Sequence, residues 1–498
     1  HGCHNQYLLN DILKRDWAFD GVVVSDWGGV HDTKQAAENG LDMEFGSWTD
    51  GLSWGASNAY DNYYLAAPYL DMLRKGEAST ATLDDKARRV LRLIFRTAMN
   101  TQKPFGSLNS PEHLAAARRI AGEGMVLLKN DGGVLPIDLA KAKTIAVVGE
   151  NAIKMMTVGG GSSSLKVRHE YTPLEGIRAA ADGKAEVIYE RGYVGDVTGD
   201  YNGVKTGQDL SEKRSEAQLI ADAVAAARKA DAVIFVGGLN KSRHQDSEQV
   251  DRLEYGLPYS QDKVIKALAD TNPNLAVVIV SGNAVAMPWI DRVPAVLEAW
   301  FSGSEAGNAL ADVVFGAVNP SGKLPFTFPV RLEDNSAHAL GEYPGTDKVA
   351  YNEGIFVGYR WHDKEQLKPL FAFGHGLSYT TFDITNVQAD RTTLAANGRI
   401  RVSADVTNTG SRPGAEVVQL YIGDEESSLP RPVKELKGFQ KIALDPGQTQ
   451  TVTFEITPDM LQYYDDAKGA WVAEPGTFTA YVGAASDDIH GIARFELK

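Results

Sequence analysis

The chain reads as a multidomain protein, α/β over its first two-thirds and all-β at its end, and three features predict this. Short apolar runs alternate with helical patterns up to about residue 330. Alternating strand-like segments punctuated by turn residues fill the stretch from about 381 onward. Length is the third feature, since 498 residues exceed one compact core and predict two to four domains.

Residues 5–17 predict a short amphipathic helix, capped by Asn5, with Leu8, Leu9, Ile12 and Leu13 at helical spacing. Gly21 then opens the run Val22-Val23-Val24-Ser25-Asp26, which Trp27-Gly28-Gly29 closes. A β-branched run that short suits a strand buried on both faces. A polar helical stretch near 32–39 follows, then a second short run over 40–45. A strongly periodic helix over 81–99 comes next, with Ser79 or Thr80 as its cap. This order makes two repeats of a parallel α/β unit. Two such strands cannot stand alone and no later segment continues them. Residues 1–105 therefore predict the C-terminal end of a (β/α)8 barrel, with about six earlier repeats upstream.

Residues 106–330 predict a second α/β domain. Candidate strands lie at 144–148, 186–189, 232–236, 275–280 and 295–300, with helical patterns between them that include 211–229 and 259–270. That alternation predicts an α/β sandwich around a mainly parallel sheet. Residues 331–380, rich in Gly, Pro and aromatics, predict an ordered connecting segment. Over 381–498, segments such as 399–406, 417–421, 451–456 and 477–482 alternate polar and apolar residues. Turns at Asn408-Thr409-Gly410, Asp445-Pro446-Gly447 and Pro475-Gly476 separate them. About seven strands in that length predict a fibronectin type III-like β-sandwich.

Composition bounds the classes of function. A hydrophobic content of 43% and a charged content of 23% allow several real cores. A formal net charge of -15 argues against nucleic acid or an anionic membrane as partner and does not hinder a neutral sugar. The single cysteine, Cys3, excludes an internal disulfide and a cysteine-based metal site, and no H-E-x-x-H pair occurs. No metal or cofactor is expected. No apolar run approaches the ~20 residues that span a bilayer. The start at His1, without a signal-peptide pattern, reads as a cut N-terminus. The compartment is left open, with periplasmic or secreted placement compatible, and so is homo-oligomerisation.

Asp26 is the strongest candidate for chemistry. It stands at the C-terminal end of a predicted barrel strand, where such barrels place their active sites. The competing reading is a cap for the following helix. Val23-Val24-Ser25-Asp26-Trp27-Gly28 resembles the nucleophile motif of glycoside hydrolase family 3 β-glucosidases. Leu8-Leu9-x-x-Ile12-Leu13 and Phe19-Asp20-Gly21 match with it. Further matches follow in family order: Val126-Leu127-Leu128-Lys129-Asn130, Pro320-Ser321-Gly322-Lys323-Leu324-Pro325, Gly354-Ile355-Phe356-Val357-Gly358-Tyr359-Arg360 and Phe373-Gly374-His375-Gly376-Leu377-Ser378-Tyr379. The resemblance covers essentially the whole chain.

That resemblance implies a retaining exo-β-glycosidase, first of all a β-glucosidase. Its substrates would be β-linked oligosaccharides or aryl and alkyl β-glucosides, cleaved at the terminal non-reducing glucosyl residue. Asp26 would be the nucleophile. Retention needs a second carboxyl group about 5 Å away as acid/base, and in similar enzymes a loop after a strand of the sandwich supplies it. Here the strand at 232–236 leads into such a loop, and Glu248 matches the family glutamate within Ser247-Glu248-Gln249-Val250-Asp251-Arg252. Gln249 and Val250 replace the usual Gly and Tyr. Asp246 is the local rival, and a solvated charged loop is the competing reading. Glu248 must hold a proton for the first step, which an ionised Asp26 across the cleft would favour by like-charge repulsion.

Trp27 is expected to offer an apolar face to sugar or aglycone, against the alternative of a core Trp sealing the barrel mouth. Gly159-Gly160-Gly161-Ser162-Ser163-Ser164 resembles a family loop that approaches the sugar, with Ser162 or Ser163 bonding a hydroxyl. A phosphate cradle is the rival reading, and the lack of a following Gly-Lys-Ser/Thr argues against it. His375, Tyr359 and Arg360 are expected to lock domains together, and Asp465-Asp466 to form a hairpin turn. The functional alternatives are a β-xylosidase or related exo-glycosidase of the same family, and a non-catalytic sugar-binding or structural fragment. The family's His-Asp chemistry on N-acetylglucosaminides is disfavoured by the sandwich glutamate. With most of the barrel expected upstream, the chain by itself is expected to be inactive.

Overall fold

Six short runs rich in Val, Ile, Leu and Ala pair into one sheet in the computed structural model. They are Val126–Asn130 (β1), Thr144–Val148 (β2), Glu186–Glu190 (β3), Ala232–Gly238 (β4), Leu275–Val280 (β5) and Ala295–Glu298 (β6), in the order β1-β6-β5-β4-β2-β3. Strands β2 to β6 run parallel, and β1 lies antiparallel on β6. The structure describes residues 1–46, 61, 63–104, 106–157, 165, 167–196, 200–201, 204–248 and 250–498. Contacts divide the chain into two units, His1–Leu108 and Asn109–Lys498.

Alternation across the pleat gives the sheet two cores. Leu127, Ile145, Val147, Ile234, Val236, Val278 and Leu297 share one cluster with Leu174, Ile177, Leu310 and Val313 of helices Pro173–Ala181 and Ala306–Val314. Leu128, Ala146, Val148, Val233, Phe235, Val277 and Val296 share the other with Ala223, Val264 and Leu268 of helices Glu216–Lys229 and Gln261–Ala269. Each fully buried Val, Leu or Ile is worth roughly 1.5–3 kcal/mol against exposure. Helix starts follow local chemistry: Thr172 and Glu175 form a capping box ahead of Pro173, and Ser215 caps the helix that follows it.

Where β2 ends, Gly149 adopts φ 124° and lies against β4 so closely that a Cβ there would run into the Val236 carbonyl oxygen. Both the backbone angle and the approach exclude a side chain. Gly149→Ala is expected to cost about 3 kcal/mol of unfolding free energy. Urea unfolding followed by tryptophan fluorescence reads this as an earlier midpoint, and an unchanged midpoint would refute the close approach.

The chain after β6 stays on this unit. Leu377 bridges Leu127 in antiparallel fashion, covering the outer edge of β1, and Leu324 N–H donates to the His375 carbonyl at 2.8 Å. The Leu128 carbonyl, which can only accept, lies 2.9 Å from His375 Nε2, so that nitrogen carries the hydrogen, and burial lowers the pKa of the ring. Beyond this, Thr449–Ile456, Ile400–Asn408 and Phe382–Ala389 make a three-stranded sheet. A five-stranded sheet contains Ile489–Leu497, Gly476–Gly483, Gly414–Asp424 and Glu435–Leu444. Val402, Val406, Leu420, Phe454, Phe478 and Phe495 fill one core from these two sheets. Tyr359 Oη accepts from Leu436 N–H at 2.9 Å and Arg360 pairs with Glu435 at 3.1 Å, so both residues tie the helix Tyr359–Glu365 to the β-sandwich. Asp465 ends a short strand at a turn, where Lys468 closes on it at 2.7 Å.

In the unit His1–Leu108, helices cover Tyr7–Asp16, Thr33–Glu38, Ala67–Lys75 and Thr80–Arg96. The runs expected as strands buried on both faces are joined by one parallel bridge, Val24 to Met43, and Val24 is 40% exposed. Among the described residues no further run pairs with these two, so they share a single bridge rather than a full ladder, which is the reason for this departure. The periodic helix exposes Leu91, Leu93, Ile94 and Phe95. Lys86 from the same helix is buried and donates to the carbonyls of Ala36 and Leu41; burial lowers its pKa to about 8. Among the described residues, no helix is long and apolar enough to cross a membrane.

Candidate active site

Two runs present acidic side chains in the first unit, and the backbone sorts them. Asp42 is buried, pairs with Lys14 at 2.7 Å and accepts Val23 N–H at 2.8 Å. Glu44 accepts the N–H groups of Tyr64 and Leu65 at 3.3 and 2.7 Å. Asp26, by contrast, is exposed at the mouth of the turn that follows the Val24 bridge. Ser25 pins that turn from below: its N–H donates to Met43 O and its Oγ accepts Phe45 N–H, both at 2.9 Å. Gly28, at φ 70°, bonds Gly46 O at 2.7 Å, and Gly29 N–H closes back on Asp26 O at 3.1 Å. Asp26 Oδ1 accepts Trp27 N–H at 2.8 Å. Asp26 does not cap the following helix; Asp32 does, accepting Gln35 N–H at 2.7 Å. Trp27 is 66% exposed with Phe45 5.6 Å from it, so in this unit it is an open aromatic surface rather than a core residue.

In the second unit the sheet order reverses between β2 and β4. From β2 the chain steps outward to β3, then returns to the other side of β2 and continues through β5 and β6. The crevice outside the carboxyl ends at such a reversal is where open α/β sheets place ligands. The loops that follow β2 and β4 meet there. Asn151, just after β2, donates to the Leu239 carbonyl at 3.0 Å, and Gln261 brackets Gly238 with bonds of 2.7 and 2.8 Å. A buried charge network braces the same place. Glu150 binds Lys154 at 3.2 Å and Arg191 at 2.8 Å, and Lys154 reaches Asp196 O at 2.9 Å. Asp196 in turn accepts Ser242 Oγ at 2.7 Å, at the start of the loop after β4.

Glu248 stands on that loop and is exposed. Its rival Asp246 is spent on anchoring: its carboxylate accepts Gly282 N–H at 2.6 Å and Asn283 Nδ2 at 2.8 Å. Burial raises the Asp246 pKa, opposed by the Gly282 N–H and by Arg252 and Lys241. Gln245 is likewise committed, to Asn240 N–H at 2.9 Å and Tyr259 Oη at 2.8 Å. His244, at φ 63°, faces the Asp251 carbonyl at 3.0 Å. Sequence reasoning missed Asp196, Gln261 and Asn283. Their one visible signal was a position just after a strand or at a helix start.

Beside this loop a cavity of about 240 Å³ opens among the carboxyl ends of β2, β5 and β6. Trp300, Phe301 and Leu310 form its apolar wall, and the Lys241 ammonium lies 3.8 Å over the Phe301 ring. Ser162 and Ser163 lie outside the described residues. Among the described residues, no group of three His, Cys, Asp or Glu side chains is arranged to hold a metal ion.

A model described as the glycosyl hydrolase family 3 C-terminal domain matches residues 125–379, and one for the fibronectin type III-like domain matches residues 416–486. The chain is 50% identical to β-glucosidase BoGH3A of Bacteroides ovatus, over 100% of its own length and 66% of that protein. It is 38% identical to thermostable β-glucosidase B of Acetivibrio thermocellus, over 97% of its own length and 60% of that protein. The chain thus spans less than two-thirds of either relative. A β-glucosidase from Kluyveromyces marxianus, solved in complex with glucose, superposes with a TM-score of 0.86 at 25% identity, over 100% of this chain and 75% of the other.

Proposed function

The chain belongs to glycoside hydrolase family 3, and from that premise we propose that it carries both catalytic acids of a retaining, exo-acting β-glucosidase. Asp26 attacks the anomeric carbon while Glu248 gives its proton to the glycosidic oxygen, and the bond between them breaks. The aglycone leaves as an alcohol and a glucosyl ester forms on Asp26. Glu248, now a carboxylate, takes a proton from water, whose oxygen attacks the same carbon and frees Asp26. Two inversions give net retention. Substrate and water supply every atom, so the reaction calls for no cofactor.

Selective exposure of two carboxylates supports this reading. Asp26 and Glu248 stand out to solvent, whereas Asp42 is buried in a pair with Lys14, and the Asp246 carboxylate is held by both Gly282 and Asn283. The relatives' name, β-glucosidase, and the glucose held by the yeast structure favour glucose as the sugar. Trp27 would supply an apolar face to it, and Ser162 or Ser163 a hydroxyl contact. Residues 1–105 would be the last repeats of a (β/α)8 barrel. The apolar surface left bare on the helix Thr80–Arg96 fits neighbours supplied by earlier repeats. Those repeats would also grip the sugar.

Proton NMR of an aryl β-glucoside reaction tests the reading. A chain extended upstream by the rest of the barrel is expected to release β-glucose first, with the α-anomer appearing only by mutarotation. The 498-residue chain alone is expected to give no turnover. Initial α-glucose would sink the double displacement.

A further inference from the structure

The loop that carries Glu248 is held at both ends by one side chain. Asn283, in the segment after β5, donates from Nδ2 to Asp246 at 2.8 Å, two residues before Glu248. Its Oδ1 accepts from Arg252, four residues after Glu248. The planar amide therefore fixes the spacing between the two ends of the short span from 246 to 252. Neighbouring bonds stiffen the clamp: Gly282 N–H reaches the second Asp246 oxygen at 2.6 Å, and Arg252 also donates to Ala284 O and Tyr255 O, each at 2.8 Å. Beneath it, Ser281 Oγ donates to Asn283 O at 2.8 Å and lies 3.1 Å from the fully buried Glu298. Because Glu298 sits at the end of β6 and Ser281 just after β5, the clamp is rooted in the sheet itself.

We infer that Asn283 is a positioning residue for the proton-transfer step, fixing where Glu248 stands by joining Asp246 to Arg252. This rests on the assignment of Glu248 as acid/base. A carboxyl group can protonate a leaving oxygen only within hydrogen-bond reach, and a displacement of about 1 Å costs up to about 100-fold. Substrates with poor leaving groups need that proton during glycosyl transfer. Aryl glucosides with good leaving groups do not.

Asn283→Ala and Asp246→Ala, made in the barrel-complete protein, are compared on cellobiose and on 2,4-dinitrophenyl β-glucoside. For both variants, kcat/KM is expected to fall about 10- to 100-fold on cellobiose and by less than about threefold on the aryl glucoside. The alkaline limb of the cellobiose pH profile should move with it. Asp246→Asn keeps an acceptor for Gly282 N–H but turns an amide NH2 against Asn283 Nδ2, so it is expected to share the leaving-group-dependent loss. A uniform fall on both substrates, or no change on either, would overturn the inference. Glu248→Ala run in parallel separates the two claims. If it lacks the leaving-group signature, the acid/base assignment fails; if it shows the signature and Asn283→Ala does not, only the clamp fails.

Discussion

Asp26→Ala, in a chain extended to the full barrel, is expected to lower kcat by about 10⁴-fold or more on every substrate, whatever its leaving group. The size follows from the proposed role: without the carboxylate no glucosyl ester would form, and an oxocarbenium-like transition state would lose its nearest counter-charge. Folding should hardly notice. The side chain is exposed and accepts the next residue's own N–H, so stability should stay within about 0.5 kcal/mol of wild type. Added azide gives a stereochemical check. It fills the space left by the carboxylate and attacks the opposite face, so the product expected is α-glucosyl azide. Wild-type turnover, or a β-azide from this variant, removes Asp26 from the nucleophile's role.

Glu248→Ala is expected to behave in the opposite sense. General acid–base assistance contributes roughly 10²- to 10⁴-fold, and its loss falls unevenly on the two steps. Cellobiose should lose most of that range in kcat/KM, because its leaving alkoxide needs the proton. A dinitrophenyl glucoside should keep near-normal kcat/KM but show a low kcat and a low KM, as the glucosyl ester accumulates awaiting an activated water. Azide needs no base and reaches that ester, so kcat should rise with azide and the product should be β-glucosyl azide. A variant whose losses are the same for both substrates and indifferent to azide would hand the acid/base role to another group. Asp246 is poorly placed to inherit it, since its carboxylate already accepts from Gly282 and Asn283.

Periodicity explains how much of this was legible. Strands β2, β4 and β5 are almost continuous apolar runs, β3 keeps Val187-Ile188-Tyr189 between two glutamates, and the expected and observed spans agree within two residues. β1 registered only as a family motif, because Lys129 and Asn130 end it in polar residues and antiparallel pairing leaves no mark on a single strand. The helix Ala306–Val314 was missed because six of its nine residues are buried, which leaves no polar stripe to reveal a period. Pro111–Gly124 and Pro173–Ala181 carried readable starts, Ser110-Pro111 and Thr172-Pro173, but short Ala-rich and Gly-containing bodies. For the site, motif matching could propose Glu248. The tie that commits Asp246 comes from Gly282 and Asn283, 36 and 37 positions away, and is set by how β4 and β5 lie side by side.

The cover that Leu377 and His375 give to β1 bears on how the chain can be divided. A cut at residue 330 would leave a bare row of amide and carbonyl groups, and two such pieces would zip together along it. Expression of the sandwich as a stand-alone body therefore has to run at least through Tyr379, whose hydroxyl plugs onto the Val313 carbonyl at 2.9 Å. What looked like a tether is the hem of the sheet.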